Sequence, residues 1–197
     1  MIIIEDVANK DKKHVFKNNY FISQGIEVMR FGLPCADYII ANEKVLDVIK
    51  RKTDRGITPH KMDFLGTYNV AVDTKQSMSE IEGNIIGKSH ARFRDELLLA
   101  ENNGIKLYVL VENKEGIKSI QDVFKYTSTR RLRWFKINKA HENGKMLNVP
   151  IPSKPPVSGE QLAKSMLTMQ LKYGVEFMFC TPNEAGKRVI ELLTQEG

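Results

Sequence analysis

Tyr68-Asn-Val-Ala-Val-Asp-Thr-Lys75 is the stretch on which the reading of this chain turns. Val70, Ala71 and Val72 make a short apolar run that ends in an acid and a lysine two positions apart. Residues two apart on a strand point to the same face. On a solvated edge, Asp73 and Lys75 would be an ordinary surface ion pair. At the end of a buried strand they need a chemical reason. The reason this pattern favours is metal-assisted phosphodiester hydrolysis, with Asp73 on the metal and Lys75 beside the attacking water.

The residues downstream build on that strand. Ser77 caps a helix with Glu80 in its first turn, and Ile81, Ile85 and Ile86 face the sheet. Gly87 breaks this helix. Ser89 caps a second one, His90 to Asn103, with Phe93, Leu97, Leu98 and Ala100 inward. His90, Arg92 and Arg94 lie near its N-terminus, an end that attracts phosphate, although Arg94 reads as part of the charged outer face. Ile105 to Glu112 is a continuous apolar run, as in a central strand covered on both faces. Strand, helix and strand in succession predict a parallel crossover.

Upstream, Ile2, Ile3 and Ile4 end in Glu5 and Asp6. This is either a buried strand delivering carboxylates at its end, or a strand whose two acids open a loop. Lys10 to Ser23 suits a helix that lays Val15, Phe16, Tyr20 and Phe21 on one face, and Gly25 stops it. Glu27 to Asn42 is a second strand region interrupted at Gly32-Leu-Pro34, so Asp37 falls at a strand start. A lone Asp there is ordinarily a turn former; the later Asp-x-Lys raises its interest. Val45 to Lys52 is a short helix. The basic run from Arg51 to Met62 is an exposed loop, either tracking a phosphate backbone or simply solvated, with His60 on the surface.

Further on, Ser119-x-x-Asp122 opens a short helix. Thr127 to Lys139 sets Arg130, Arg131, Arg133, Lys136 and Lys139 around Trp134 and Phe135. Basic residues interleaved with aromatics suit nucleic acid by charge and stacking. The other reading is that the aromatics anchor a basic flap to the core, and for Trp134 that reading is favoured. Residues 141–157, with Gly144, Pro150, Pro152, Pro155 and Pro156, form an internal joint. It is not read as a domain boundary, because the segment after it is too short for its own core. Ser158 with Gln161 caps a helix through Tyr173 whose core stripe is Leu162, Met166 and Met169. Gly174 stops it and Val175 to Cys180 is a strand. Thr181 as N-cap, Pro182 and Glu184 start the last helix, with Ala185, Val189, Leu192 and Leu193 inward. The expected class is α/β: a mixed, mainly parallel sheet flanked by helices, one domain over 1–197 with a basic insertion around 114–157.

Thirty Lys+Arg against 24 Asp+Glu leave a net charge of +6, which suits a polyanionic partner. Cys35 and Cys180 lack metal-ligand spacing and read as free thiols of an intracellular protein. The start, Met-Ile-Ile-Ile-Glu-Asp, is too short and too soon acidic for a signal peptide. No apolar run approaches the roughly 20 residues of a membrane span, and no internal repeat is visible.

The order Ala36-Asp37-Tyr38, Val72-Asp73-Thr74-Lys75, Ser79-Glu80-Ile81, His90-x-Arg92-Phe93-x-x-Glu96, Leu107 to Glu112 resembles the XPF-type nuclease domain of the PD-(D/E)xK superfamily, and its stand-alone phage and bacterial branch in particular. That family carries Gly-Asp-Tyr, a strand ending Glu-Arg-Lys, a Ser-Asp-Leu helix start, a Gly-Arg and a strand ending Leu-Ile-Glu. The resemblance covers Met1 to Asn113, and the tail from Ser158 looks like the family's closing helix, strand and helix. Two departures stand out. Ala36 replaces glycine, read here as a mild change. Asp73-Thr74-Lys75 replaces Glu-Arg-Lys, so the arginine's role is unfilled or moved. The tandem helix-hairpin-helix segment of eukaryotic members is not seen; the basic loop and the Arg130 to Lys139 stretch are candidates to substitute for it.

The resemblance implies a restriction-endonuclease-like fold and a Mg²⁺-dependent DNA endonuclease, with Mn²⁺ able to substitute, selective for branched or flapped DNA in recombination or repair. Asp37 and Asp73 would supply carboxylates and the Thr74 carbonyl a third oxygen, as Mg²⁺ prefers. Glu80 would join directly or through water. Lys75 would orient or deprotonate the water, or stabilise developing charge; the residues alone leave this open. His90 and Arg92 would hold phosphate, and Arg130, Arg131 and Arg133 would contact DNA. Glu5 and Asp6 resemble the family's acids after its first strand. DNA is the expected partner, a homodimer is possible for such a family, no membrane is involved, and the expected place is the cytoplasm of a bacterial or phage-infected cell. The alternatives are a catalytically idle nuclease fold that binds DNA or a protein, and a nuclease of RNA.

Overall fold

The computed structural model describes residues 1–8, 14–145 and 154–195. Its elements are β1 (Ile2–Asp6), α1 (Val15–Ser23), β2 (Glu27–Phe31), β3 (Tyr38–Ile40), α2 (Glu43–Thr53), β4 (Val70–Lys75), α3 (Met78–Ile85), α4 (His90–Asn102), β5 (Lys106–Glu112), α5 (Ile120–Val123), α6 (Thr129–Glu142), α7 (Gly159–Tyr173), β6 (Glu176–Cys180) and α8 (Ala185–Thr194). One six-stranded sheet runs in the order β2-β1-β3-β4-β5-β6. Only β3 is antiparallel to its neighbours. The expected strand region 27–42 therefore splits into two strands on opposite sides of β1, with the break at the expected Gly32-Leu-Pro34.

Side-chain alternation gives each strand two faces. Ala71, Val109, Val111 and Phe177 pack with Met78, Ile81, Phe93, Leu97, Leu162 and Met166 in the larger core, toward α3, α4 and α7. Val70, Val72, Tyr108 and Leu110 pack with Phe21, Val189 and Leu192 on the other face, under α1 and α8. At Gly186 the two helices of that second layer come so close that a Cβ would stand 2.9 Å from the Tyr20 ring. The methionine stripe of α7 is core, as its spacing predicts.

Several boundaries differ from expectation. The Thr181–Glu184 box forms, with Glu184 accepting from the Thr181 amide and hydroxyl, but 181–184 is a turn and α8 starts at Ala185. Ser89 precedes α4 without a side-chain cap bond. The basic stretch is the helix α6, and none of its residues is buried. Among the described residues Trp134 and Phe135 join neither core: the two rings pack edge-on against each other at 5.2 Å, Trp134 half-buried and Phe135 46 % exposed. Lys10 to Lys13 of the first expected helix, and Pro150 and Pro152 of the joint, lie outside the described residues. Among the described residues no helix is long and apolar enough to cross a membrane.

Candidate active site

Because β1, β4 and β5 are parallel and β3 runs against them, the ends of the first three and the start of β3 meet at one edge of the sheet. Crevices beyond the carboxyl ends of parallel strands are where α/β folds place their ligands. Here the edge brings Asp37, Asp73, Lys75, Glu80 and Arg92 into the lining of one open cleft of about 780 Å³. These are five of the residues singled out from sequence. Asp6 and Glu96 line it too.

Asp73 and Lys75 share the face of β4 toward α3 and α4, as their spacing predicts. Asp73 Oδ2 lies 2.5 Å from Lys75 Nζ, its charge partner, in a site where both are almost fully buried. The ammonium also sits 5.4 Å above the Phe93 ring. Burial disfavours the charged lysine, but Asp73 and Glu96 outweigh it and hold Lys75 above the ordinary lysine range. Burial pushes the Asp73 carboxyl up to about 8 against the pull of Lys75.

Thr74 points to the opposite face and is fully buried. Its backbone N–H, at 2.9 Å, and its hydroxyl both donate to Asp37 Oδ2. The position where the resemblance calls for arginine is thus occupied by a short side chain that orients the neighbouring carboxylate. Burial alone would raise Asp37; His14, the Thr74 hydroxyl and Lys75 outweigh it and hold the carboxyl below its usual range. The Asp37 backbone is bound on both sides, its N–H to Val72 O at 3.0 Å and its carbonyl accepting from Asp6 N at 2.9 Å.

Ala36, read as a mild replacement for glycine, is not mild. It has φ of 68°, the one non-glycine residue with positive φ among the described residues. An L-residue pays about 1–2 kcal/mol in that region, partly offset because glycine is freer in the unfolded chain. Ala36→Gly is expected to stabilise the protein by about 0.5–1 kcal/mol, read as a shift of the urea midpoint without a change in slope.

Glu5 and Asp6 part company. Asp6 faces the cleft and accepts from Leu33 N at 3.0 Å. Glu5 lies on the other face, beneath α1. There the sheet edge carries a second polar layer that the sequence reading missed. Lys17 pairs with Glu112, both buried. Asn18 donates to Glu5 at 2.8 Å and accepts from the Tyr38 hydroxyl at 3.3 Å. His14 meets that hydroxyl at 2.6 Å. His14, Lys17, Asn18 and Phe21 recur at helical spacing on one face, the only signal that would have shown them.

Other expected residues lie apart. His90 is tied to Ile85 O at 2.6 Å and does not line the cleft. Arg130 and Arg133 are exposed on α6, away from the cleft lining, and Arg131 bonds the Pro156 carbonyl with its guanidinium 5.2 Å from the Phe135 ring centre.

A hard divalent cation fits the chemistry of the donors. Asp73 Oδ2 is buried and accepts no well-formed hydrogen bond, and Asp37 stands beside it in the turn that leads into β3, its N–H bonded to Val72 O. Among the described residues no three His, Cys, Asp or Glu side chains converge on one point. Two carboxylates completed by a backbone oxygen and waters suit Mg²⁺, which keeps several waters of its own.

No protein-family model matches the sequence, and no curated protein matches it. Among solved structures, the fold is similar to XPF from Aeropyrum pernix, with a TM-score of 0.54 at 14 % identity over 100 % of this chain and 65 % of that one. It has an XPF-like nuclease fold. A second structure with this XPF-like fold, XPF from Aeropyrum pernix in complex with DNA, matches with a TM-score of 0.52 at 13 % identity, covering 99 % of this chain and 64 % of that one. The chain therefore spans just under two thirds of these XPF chains.

Proposed function

We propose that this chain is a Mg²⁺-dependent DNA endonuclease, selective for branched or flapped DNA, in which Mn²⁺ substitutes. The observation that carries the reading is the meeting of Asp37, from the turn before β3, with Asp73 and Lys75, from β4, in one cleft of an XPF-like fold. That a neighbour of this fold was solved with DNA supports DNA as the substrate. The cation, held by Asp37, Asp73 and the Thr74 carbonyl, would neutralise phosphate charge and make its bound water a better nucleophile. Lys75, an ammonium braced by Asp73 and Phe93, stabilises charge on the phosphate oxygens rather than taking a proton. Thr74 holds Asp37 in place. Glu80, on the first turn of α3, accepts from Gln76 N at 2.7 Å and lines the same cleft, from which it would join the site through water. Arg92, on α4 and in the same cleft lining, would hold a neighbouring phosphate.

The test is Mg²⁺-dependent cleavage of branched against linear DNA, with calorimetric Mn²⁺ binding by the wild type, Asp37→Ala and Asp73→Ala. Cleavage that vanishes with either acid supports the reading. The pairing of Asp73 with Lys75, which already occupies the carboxylate with a cation, favours a second reading, an idle nuclease fold that binds DNA. DNA binding with no metal binding dependent on Asp37 and Asp73 would select it. Competition by RNA at equal salt separates a nuclease of RNA.

The insertion around 114–157 serves, in this reading, as a DNA-contacting arm of a single domain. With Arg131 held by Pro156 and Phe135, Arg130 and Arg133 are the arms left for phosphate. Replacing all three arginines by alanine is expected to flatten the slope of log affinity against log salt by about 2, at about 0.9 for each phosphate no longer neutralised. Trp134, the single tryptophan, reports DNA binding at α6 through its fluorescence. An unchanged slope and unchanged fluorescence would remove α6 from the interface.

A further inference from the structure

Asp37 must leave the backbone in one direction to face Asp73, and the turn that aims it is unfavourable for its own sequence. Ala36 has φ of 68°. With the Cys35–Ala36 peptide held in place, returning the alanine to negative φ by rotation about its N–Cα bond would swing the chain entering Asp37. The bonds of Asp37 itself, to Val72 and Asp6, hold the residue after the bend and not that peptide. What holds it is Glu96, sixty residues away on α4, whose Oε1 accepts from Ala36 N at 2.8 Å. Glu96 is half-buried in the wall of the cleft, and its charge acts on both Asp73 and Lys75.

We propose that Glu96 is a positioning residue of the active site: by accepting the Ala36 N–H it locks the left-handed turn that directs Asp37 toward the cation. The inference rests on the metal-site reading above and names a residue that the reading does not need. Its chemistry is specific. An amide oxygen accepts the same bond as a carboxylate oxygen, so the clamp requires an acceptor at this point and not a charge. A metal ligand or a charge-balancing group would require the charge.

The experiment compares Mn²⁺ binding, by calorimetry, to the wild type, Asp37→Ala, Glu96→Gln and Glu96→Ala, with hydrogen exchange of the Ala36 amide. Glu96→Ala is expected to weaken Mn²⁺ binding by about 10–100-fold, the usual effect of removing a group that orients a ligand, and Glu96→Gln to stay within about threefold of wild type. The Ala36 amide is expected to be protected in the wild type and in Glu96→Gln, a measurement that stands even if Glu96→Ala fails to fold. Equal weakening in Glu96→Gln and Glu96→Ala would overturn positioning in favour of direct charge. Wild-type affinity in Glu96→Ala, or an unprotected Ala36 amide in the wild type, would overturn it outright while Asp37→Ala still upheld the metal site. A wild type that binds no Mn²⁺ would overturn the metal-site reading, and the inference with it.

Discussion

Lys75→Ala is expected to lower cleavage of branched DNA by roughly 10²–10³-fold, the scale seen when one preorganised donor to a developing negative charge is removed. The same change should cost stability. Lys75 and Asp73 are 8 % and 4 % exposed in their side chains, so the substitution leaves a carboxyl in the protein interior without its cation. Breaking a buried pair on one side costs about 3–5 kcal/mol, softened here because burial already favours the protonated Asp73 carboxyl. Activity and stability can be pulled apart. Asp73→Asn with Lys75→Met removes both charges at similar volume, and should regain stability relative to Lys75→Ala without regaining cleavage. Urea unfolding alongside a cleavage assay reads both. Cleavage by Lys75→Ala equal to wild type would remove the lysine from the chemistry.

The second large effect lies on the other face of the sheet. Lys17→Ala is expected to destabilise by about 3–5 kcal/mol, which lowers the melting temperature by on the order of 10 °C for a chain of this size. The cause is Glu112, itself buried, with Lys17 as its cation. Lys17→Met with Glu112→Gln should recover much of the loss, since replacing a whole buried pair with well-packed neutral groups is far cheaper than halving it. This pair lies away from the cleft lining, so the double variant should keep its DNA affinity. A Lys17→Ala variant as stable as wild type would show that Glu112 finds water or another donor.

The strands were legible because alternation and apolar runs are local properties. β4 and β5 declared themselves in eight residues each, and the parity of Asp73 and Lys75 followed from the pleat. Asp37 was legible because the Gly32-Leu-Pro34 break, just after β2 ends at Phe31, sets it at the start of the next strand, and because an Asp-x-Lys follows later. What escaped depends on partners far along the chain. Lys17 looked like one more cation of a basic helix until Glu112, 95 residues on, lay beside it. Glu96 was visible as the last residue of the His90-x-Arg92-Phe93-x-x-Glu96 pattern but without a role, because nothing local says that an amide from another loop needs its oxygen. Ala36 looked harmless because a sequence carries no φ. The arginines of α6 were visible as a cluster, but the lack of any buried stripe in that helix appears only when the body it might pack on is in place.

The second polar layer beneath α1 has a bearing on where ions can settle. The sheet edge offers acids on both of its faces, Asp6 and Asp73 on one, Glu5 and Glu112 on the other. Left alone, such an edge would be ambiguous, with two sets of oxygens competing for the same divalent cation. α1 removes the ambiguity by presenting an ammonium and an amide of its own to the rear set, Lys17 to Glu112 and Asn18 to Glu5, with Arg30 3.6 Å from Glu5 as well. The helix thereby acts as a permanently bound counter-ion. It leaves the front as the face on which an exchangeable cation has carboxylates to meet.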